Sequence, residues 1–275
     1  GAFHGRTFAA LSAQKNKKFS KGFEPLLPGF IQIPFNDYTA IKDTIDENTG
    51  GVMIEPIQGE GGVRPAKLKF LEQVRKLCDE MGVLFFLDEV QCGFGRTGKM
   101  FACEHLKNKV DIMAVSKGIT GGSMALGVTL CQQHIYDAFL SNNKLKAFFH
   151  GHSYTANPLA CAASIASLEL FEKEETLKKI KKINQWHEGF ITELKTFKNV
   201  DNIRIRGTIL AFDLVTGQRT SYFNNIRDKV YRYFLDEKVL LRPLGNVIYI
   251  MPPYCISKSE LRHVYDTIIN MLNKI

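Results

Sequence analysis

The sequence predicts an α/β protein: a mostly parallel sheet flanked by helices, followed by a smaller C-terminal α+β domain. Short apolar runs of strand length, VMIEPI at 52–57, VLFFL at 83–87 and DIMAV at 111–115, alternate with longer stretches of helical spacing. Strands connected through helices form right-handed crossovers, and such crossovers build parallel sheets. Beyond about residue 175 the composition turns to Lys/Glu-rich helix and then to strand, glycine turn and strand.

Taken in order, residues 52–57 read as a buried strand. Residues 67–81 carry Phe70, Leu71, Val74, Leu77 and Cys78 at the spacing of one helix face. Residues 83–87 form a second strand that ends at Asp88-Glu89; 111–115 and 127–131 follow as a third and a fourth. Asn157-Pro158 opens an Ala-rich helix with Leu159, Ala162, Ala163, Ala166, Leu170 and Phe171 on one side. Residues 177–197 predict a Lys/Glu-rich helix, 200–214 a strand pair turning at Gly207, and 222–238 another helix. Short strands are expected at 239–241 and 247–251 around Pro243-Leu244-Gly245. Ser257 reads as the N-cap of the last helix, with Glu260 three residues on as its capping-box partner. The expected division is a large domain over 1–170 and a small domain over 171–275, without internal repeats.

Composition bounds the function. Hydrophobic residues make up 45% and charged residues 23%, as in a soluble globular protein. No stretch approaches the ~18 consecutive apolar residues of a membrane span. The opening GAFHGRTF has neither an apolar signal region nor a start methionine, and reads as a cut into a longer chain. Six cysteines lie scattered without CxxC pairs or His clusters at ligand spacing, which predicts free thiols in a reducing, cytoplasmic setting and no metal. The net charge of +8 comes from lysines intermixed with glutamates, as over 172–182. Such a pattern is a solvated face rather than a nucleic-acid groove, though it favours anionic substrates.

The ends of parallel strands are where such sheets build sites. Asp88 closes VLFFL, Lys117 follows DIMAV by two residues, and Glu55-Pro56 lies inside VMIEPI. An acid and a lysine on neighbouring strand ends suit one chemistry. The buried carboxylate holds a protonated pyridine nitrogen, while a desolvated lysine of lowered pKa forms an imine with a carbonyl.

Three longer segments sharpen this. VLFFLDEVQCGFGRTGKMFACEH, DIMAVSKGITGG and FFHGHSYTANPLACAASIASLELFE resemble class III, fold-type I pyridoxal-phosphate aminotransferases, in that family's order and spacing, and the likeness runs through essentially the whole chain. The resemblance implies that Lys117 carries pyridoxal 5'-phosphate as a Schiff base and then acts as the proton-transferring base and acid. It implies that Asp88 pairs with the ring nitrogen, that Val90 and Phe3 cover the two ring faces, and that Gln91 lies near the 3-oxygen. His4, beside Phe3, is placed in the same cofactor site. Ser153 corresponds to a hydroxyl reaching the phosphate of the neighbouring subunit, which implies a homodimer with shared sites. The family's other phosphate-binding element, a Gly/Ser-rich turn opening a helix, lies upstream of FHG. The 275 residues are therefore expected to lack the N-terminal part of the family fold.

On substrate, two resemblances stand side by side. GAFHGRTFAALSAQ, EPIQGEGG and DEVQCGFGRTG are similar to acetylornithine and ornithine aminotransferases, where the arginine matching Arg6 binds a substrate carboxylate and the acid matching Glu60 gates a second arginine. Tyr249 stands in that arginine's place. TGGSMALGVTL, HGHSYTANPLACAA and LLRPLGNVIYIMPPY resemble the 7,8-diaminopelargonate synthase family, in which Arg242 would bind the carboxylate of the keto acid and Tyr249 would line the pocket. That family has Asp where Arg6 stands. Glu60 is expected to meet Arg6 or the substrate amine. The expected activity is transamination of 8-amino-7-oxononanoate to 7,8-diaminononanoate in biotin biosynthesis, with an acetylornithine/ornithine-type ω-aminotransferase and a non-catalytic partner as alternatives.

Several residues receive structural readings. Cys92 and Cys161 are expected to pack, His150 and His152 to hydrogen-bond, Gly121-Gly122 to turn with positive φ, and Trp186 to fill a domain interface. Arg96 either reaches a substrate carboxylate or braces its loop.

Overall fold

Backbone hydrogen bonding decides where the apolar runs become strands. In the computed structural model, which describes residues 1–14, 17–107 and 109–275, helices α1 (Phe8–Gln14), α2 (Lys17–Ser20) and α3 (Tyr38–Thr44) precede strand β1 (Gly51–Ile54). The single strand expected over 52–57 is corrected. Pro56 has no N–H for a ladder, and the chain breaks there. It continues as β2 (Ile57–Gln58), which pairs antiparallel with β3 (Arg64–Pro65) in a sheet of its own.

Helix α4 (Leu68–Met81) then buries Phe70, Leu71, Val74, Leu77 and Cys78 and stops at Gly82, whose φ of 65° is left-handed. Its apolar face packs on Ile54, Val83, Phe85 and Leu87. Buried Arg75 on the same helix donates to Asp79 and to Asp111, and Asp111 also accepts the Phe85 N–H at 2.7 Å. A buried guanidinium is tolerable only when paired in this way. The pair ties α4 to the chain entering the third strand of the main sheet.

That sheet has the order β1, β4 (Leu84–Asp88), β5 (Ile112–Val115), β6 (Val128–Cys131). The first three strands run parallel, as expected. β6 runs antiparallel to β5, because a short connection leads back along it instead of a helical crossover. Helix α5 (Gln133–Asp137) follows, then α6 (Pro158–Lys173), whose N-cap Asn157 accepts the Ala160 N–H at 2.9 Å. The boundary drawn at 170/171 falls inside α6.

The C-terminal part has its own core. Helices α7 (Thr176–Leu194), α8 (Ile226–Asp236) and α9 (Lys258–Lys274) cover an antiparallel sheet of β7 (Val200–Arg206), β8 (Ile209–Leu214) and β9 (Val247–Ile250). The capping box of Ser257 with Glu260 forms as the sequence predicts. Two expectations are corrected. Residues 239–241 make no strand, since the N–H of Val239 is taken by Phe234 O and that of Leu241 by Val239 O. The helix expected from 222 begins at Ile226, because the Asn224 side chain accepts the Ile226 N–H and donates to Thr216, an arrangement that competes with helix. Trp186 packs against this C-terminal core rather than filling an interface between domains.

Within that core, buried His187 donates from Nε2 to Thr208 O at 3.1 Å and accepts at Nδ1 from the Tyr265 hydroxyl at 2.7 Å. Phe190 stacks on Tyr265 with ring centroids 4.0 Å apart. Burial pushes the His187 imidazole down to about 4, against the opposing pull of the Thr208 carbonyl. An unfolded histidine takes its proton near the usual 6.5, so the stabilising contribution of neutral His187 is complete above that pH. It is lost as pH falls toward 4, by about 3 kcal/mol. Urea unfolding between pH 7 and pH 4 should therefore show a steep loss of stability that flattens in His187→Gln; equal slopes in the two proteins would contradict the assignment.

Candidate active site

The parallel register of β4 on β5 sets Asp88 opposite Ala114. The Glu89 N–H donates to Ala114 O at 2.8 Å, so the pairing continues past the strand end. Asp88 thus closes β4 beside the turn that begins at Lys117, three residues after Ala114. The Asp88 carboxylate is buried; Oδ1 accepts the Val90 N–H at 3.0 Å and Oδ2 lies 2.7 Å from His4 Nδ1. The N-terminal FHG segment is therefore bound to the sheet end through His4.

Phe3 is held from the other side. Its N–H donates to Glu55 Oε1 at 2.8 Å, and Glu55 Oε2 accepts the Gly59 N–H at 3.3 Å. Burial raises the Glu55 carboxyl to about 7, opposed by the Phe3 N–H and by the nearby charge of His4, and reinforced by that of Asp88. The sequence reading left Glu55 without a role, although an acid inside an apolar run followed by proline was the available signal. Gln91 lies against the Gly59 backbone, and a side chain at 59 would collide with its carboxamide. Val90 is half-buried beside it.

Lys117 opens the short turn Lys117–Thr120 with φ of 40°, and Gly121 and Gly122 follow at φ of 60° and 85°, as the glycine pair predicts. The turn closes through Gly122 N–H to Lys117 O at 3.1 Å and the Ser116 hydroxyl to Leu126 O at 2.6 Å. The Lys117 side chain is exposed, not desolvated as the imine chemistry leads one to expect, because the turn after β5 opens to the surface, and it makes no hydrogen bond or ion pair among the described residues. A buried acceptor at one strand end and an unengaged amine on the turn of the next fit pyridoxal phosphate, one for the ring nitrogen and one for the aldehyde. Among the described residues there is no cluster of three or more His, Cys, Asp or Glu suited to a metal ion.

The substrate-side residues sort differently from expectation. Glu60 is met by a different arginine from the Arg6 expected: Arg242 Nη2 donates to Glu60 Oε1 at 2.8 Å. Arg242 thus supplies the arginine partner that Tyr249 displaces in sequence, and Tyr249 itself is close enough to influence the Arg242 charge. Arg6 instead lies over the Phe3 ring, 5.4 Å from its centroid. The reason is the 59–63 turn, stapled from the C-terminal sheet by Arg204, which donates to Gly62 O and Val63 O and pairs with Asp213. That staple presents Glu60 to the segment carrying Arg242. A cavity of about 440 Å³ lies alongside, lined by Phe3, Arg6, Glu60, Tyr222, Phe223 and Leu244. Asp88 and Lys117 do not line it; Phe3, the neighbour of His4, links it to the Asp88 side.

Ser153 is exposed on the loop before α6 and is not brought to the Asp88–His4 pair. Arg96 braces its loop, donating to Pro252 O at 2.6 Å with its guanidinium 4.5 Å from the Tyr254 ring centroid. Cys92 is fully buried, as its packing role requires. No helix among the described residues is long and apolar enough to cross a membrane.

A sequence profile of the family described as aminotransferase class-III matches residues 1–272. Adenosylmethionine-8-amino-7-oxononanoate aminotransferase of Synechococcus elongatus is 38% identical over 100% of this chain and 68% of its own length. Acetylornithine aminotransferase of Rhodobacter capsulatus is 36% identical over 95% of this chain and 63% of its own. The crystal structure of adenosylmethionine-8-amino-7-oxononanoate aminotransferase from Methanocaldococcus jannaschii superposes with a TM-score of 0.90 at 33% identity, covering 99% of this chain and 66% of that one. The chain spans about two thirds of the length of these relatives. With sequence and backbone matching from end to end, it belongs to the class-III aminotransferases, a pyridoxal-phosphate-dependent family on the fold-type I scaffold.

Proposed function

We propose that this chain carries out pyridoxal-phosphate-dependent transamination, with 8-amino-7-oxononanoate as acceptor and 7,8-diaminononanoate as product, in biotin biosynthesis. The observation that carries the reading is the unengaged Lys117 amine on the turn after β5, beside buried Asp88 at the end of β4. The cofactor, when bound, supplies an electron sink for the carbanion formed at the amino carbon. Asp88 would face the ring nitrogen, and the bond from His4 orients its carboxylate. Phe3 and Val90 would cover the ring and exclude water, and Gln91 would meet its 3-oxygen. Lys117 would hold the cofactor through its amine and, when that amine is free, would move the proton from one carbon to the other.

The proposal extends to a homodimer. Leu145, Phe148, Phe149, Tyr154 and Leu159 are 66–83% exposed along the stretch that carries Ser153. An apolar patch of this kind is suited to burial against a second copy, which would bring Ser153 to the partner's phosphate. Six free cysteines suit a reducing, cytoplasmic setting.

Arg242 would bind the acceptor carboxylate, and Glu60 now holds its guanidinium. The pair is largely exposed, with side chains 48% and 38% accessible, and such a pair contributes roughly 0–1 kcal/mol. An incoming carboxylate can therefore take the guanidinium from Glu60 at little expense. The same pairing favours a second reading, an acetylornithine- or ornithine-type ω-aminotransferase, in which an acid also gates an arginine.

Pyridoxal phosphate added to the protein should give a visible band that Lys117→Ala abolishes, with transamination reduced at least about 100-fold. No band with these 275 residues but a band with a longer chain would indicate a fragment, and no band with either would indicate a non-catalytic partner. Loaded with amine by S-adenosylmethionine, lysine or glutamate, the protein should return its amino group to 8-amino-7-oxononanoate; turnover confined to acetylornithine would select the second reading.

In Glu60→Gln, the KM for the carboxylate acceptor is expected to fall several-fold with kcat little changed and stability altered by less than about 1 kcal/mol. An unchanged KM would remove Arg242 from the acceptor site.

A further inference from the structure

Two residues that are not glycine sit close together in left-handed backbone, Phe94 at φ 55° and Lys117 at φ 40°. A residue with a side chain holds that conformation only where its surroundings enforce it. The Phe94 side chain packs on the backbone of Gly118 so closely that an added methyl would lie 2.9 Å from Phe94 Cβ. Phe94 is itself buried with Met113, Val115 and Ile119, and meets Phe101 edge-on at 5.4 Å between centroids. It therefore cannot slide away from Gly118 without disturbing the floor under β5.

The other end of this contact belongs to the C-terminal part. The Tyr254 hydroxyl donates to Phe94 O at 2.7 Å, across 160 residues of sequence. Tyr254 packs against the core formed by α7, α8, α9 and their sheet. Around it the same loop is gripped again: Arg96 reaches Pro252 O, the Thr208 N–H donates to Arg96 O at 3.0 Å, and a side chain at Gly207 would collide with the backbone of 96–98. Every one of these contacts joins the 93–98 loop to residues 207–254. Of these, only the Tyr254 bond lands on Phe94, which packs against the Lys117 turn from the 93–98 loop while α6 packs on it as well. Loss of a bond to a buried carbonyl is destabilising to the same order as the strain of one left-handed residue, so this hydroxyl can decide whether the strained conformation persists.

Building on the reading of Lys117 as the cofactor-bearing lysine, we propose that Tyr254 is a positioning residue for it. The hydroxyl fixes Phe94, Phe94 presses on Gly118, and the turn keeps the Lys117 amine where it can take a proton from one carbon and return it to the other. The C-terminal part thereby governs the geometry of a proton transfer in which none of its own residues takes part.

Tyr254→Phe keeps the ring and its stacking with Arg96 and removes only the hydroxyl. In the cofactor-free full-length protein, amide hydrogen exchange at Ile119, Gly121 and Gly122 should accelerate by about tenfold, while β8 amides stay as they were. In the loaded enzyme kcat should fall about tenfold with KM unchanged, and the isotope effect of a deuterium on the reacting carbon should rise. Phe94→Leu, which loosens the same contact by another route, should reproduce both changes. Tyr265→Phe, which weakens the C-terminal core at His187, should reproduce neither. Exchange at 119–122 equal to that of the unmutated protein in Tyr254→Phe, or raised equally in Tyr265→Phe, would overturn the proposal. A cofactor band that survives Lys117→Ala would fail the underlying reading instead, and the two failures are read in separate experiments.

Discussion

Parallel pairing of β4 with β5 in a single register brings the Asp88 carboxylate and the Lys117 turn to the same sheet end, and the rest of the site is arranged around that adjacency. A slip of one residue would send the side chains of one strand to the opposite face and separate the two groups. Apolar burial makes such a slip costly: Phe85, Leu87, Met113 and Val115 are all buried, so either strand would lose its core face. The ion pairs of Arg75 with Asp111 and Asp79 lock the entry to β5 against α4. Core packing and site chemistry are therefore the same constraint seen from two sides of the sheet.

The polar layer above the sheet end is held by bonds from segments that have no regular structure. His4 is tied to Asp88, the N–H of Phe3 to Glu55, and the N–H of Gly59 to the other Glu55 oxygen. A single buried carboxyl thus couples Phe3 to the turn that bears Glu60. Arg204 and Tyr254 then reach across from the C-terminal sheet to hold that turn and the 93–98 loop. Lys117 and Asp88 come from one half of the chain, and groups that hold the loops around them come from the other.

Much of this was legible in the sequence. The strands near 83–87 and 111–115, the amphipathic face of α4, the Ser257 capping box and the glycines after Lys117 all follow from local pattern, and each forms where expected. The pairing of Glu60 with Arg242 was not legible, because it joins residues 182 apart through two irregular segments, and hydropathy periodicity carries no signal for such contacts. The Tyr254 bond to Phe94 escaped for the same reason. Residues 239–241 look like a strand in composition, yet the Val239 N–H is used in closing α8 and that of Leu241 in a local turn to Val239 O. The break at Pro56 could have been read from the missing N–H alone, and Glu55 from its charge within an apolar run.

The central claim is that one lysine, the one beside Asp88, carries the cofactor. Borohydride reduction of the loaded protein, followed by proteolysis and mass spectrometry, tests it most directly. The account predicts the added cofactor mass on the peptide containing Lys117 and its absence from every other lysine. Label on a different lysine, or none after reduction of a protein that has bound cofactor, would contradict it.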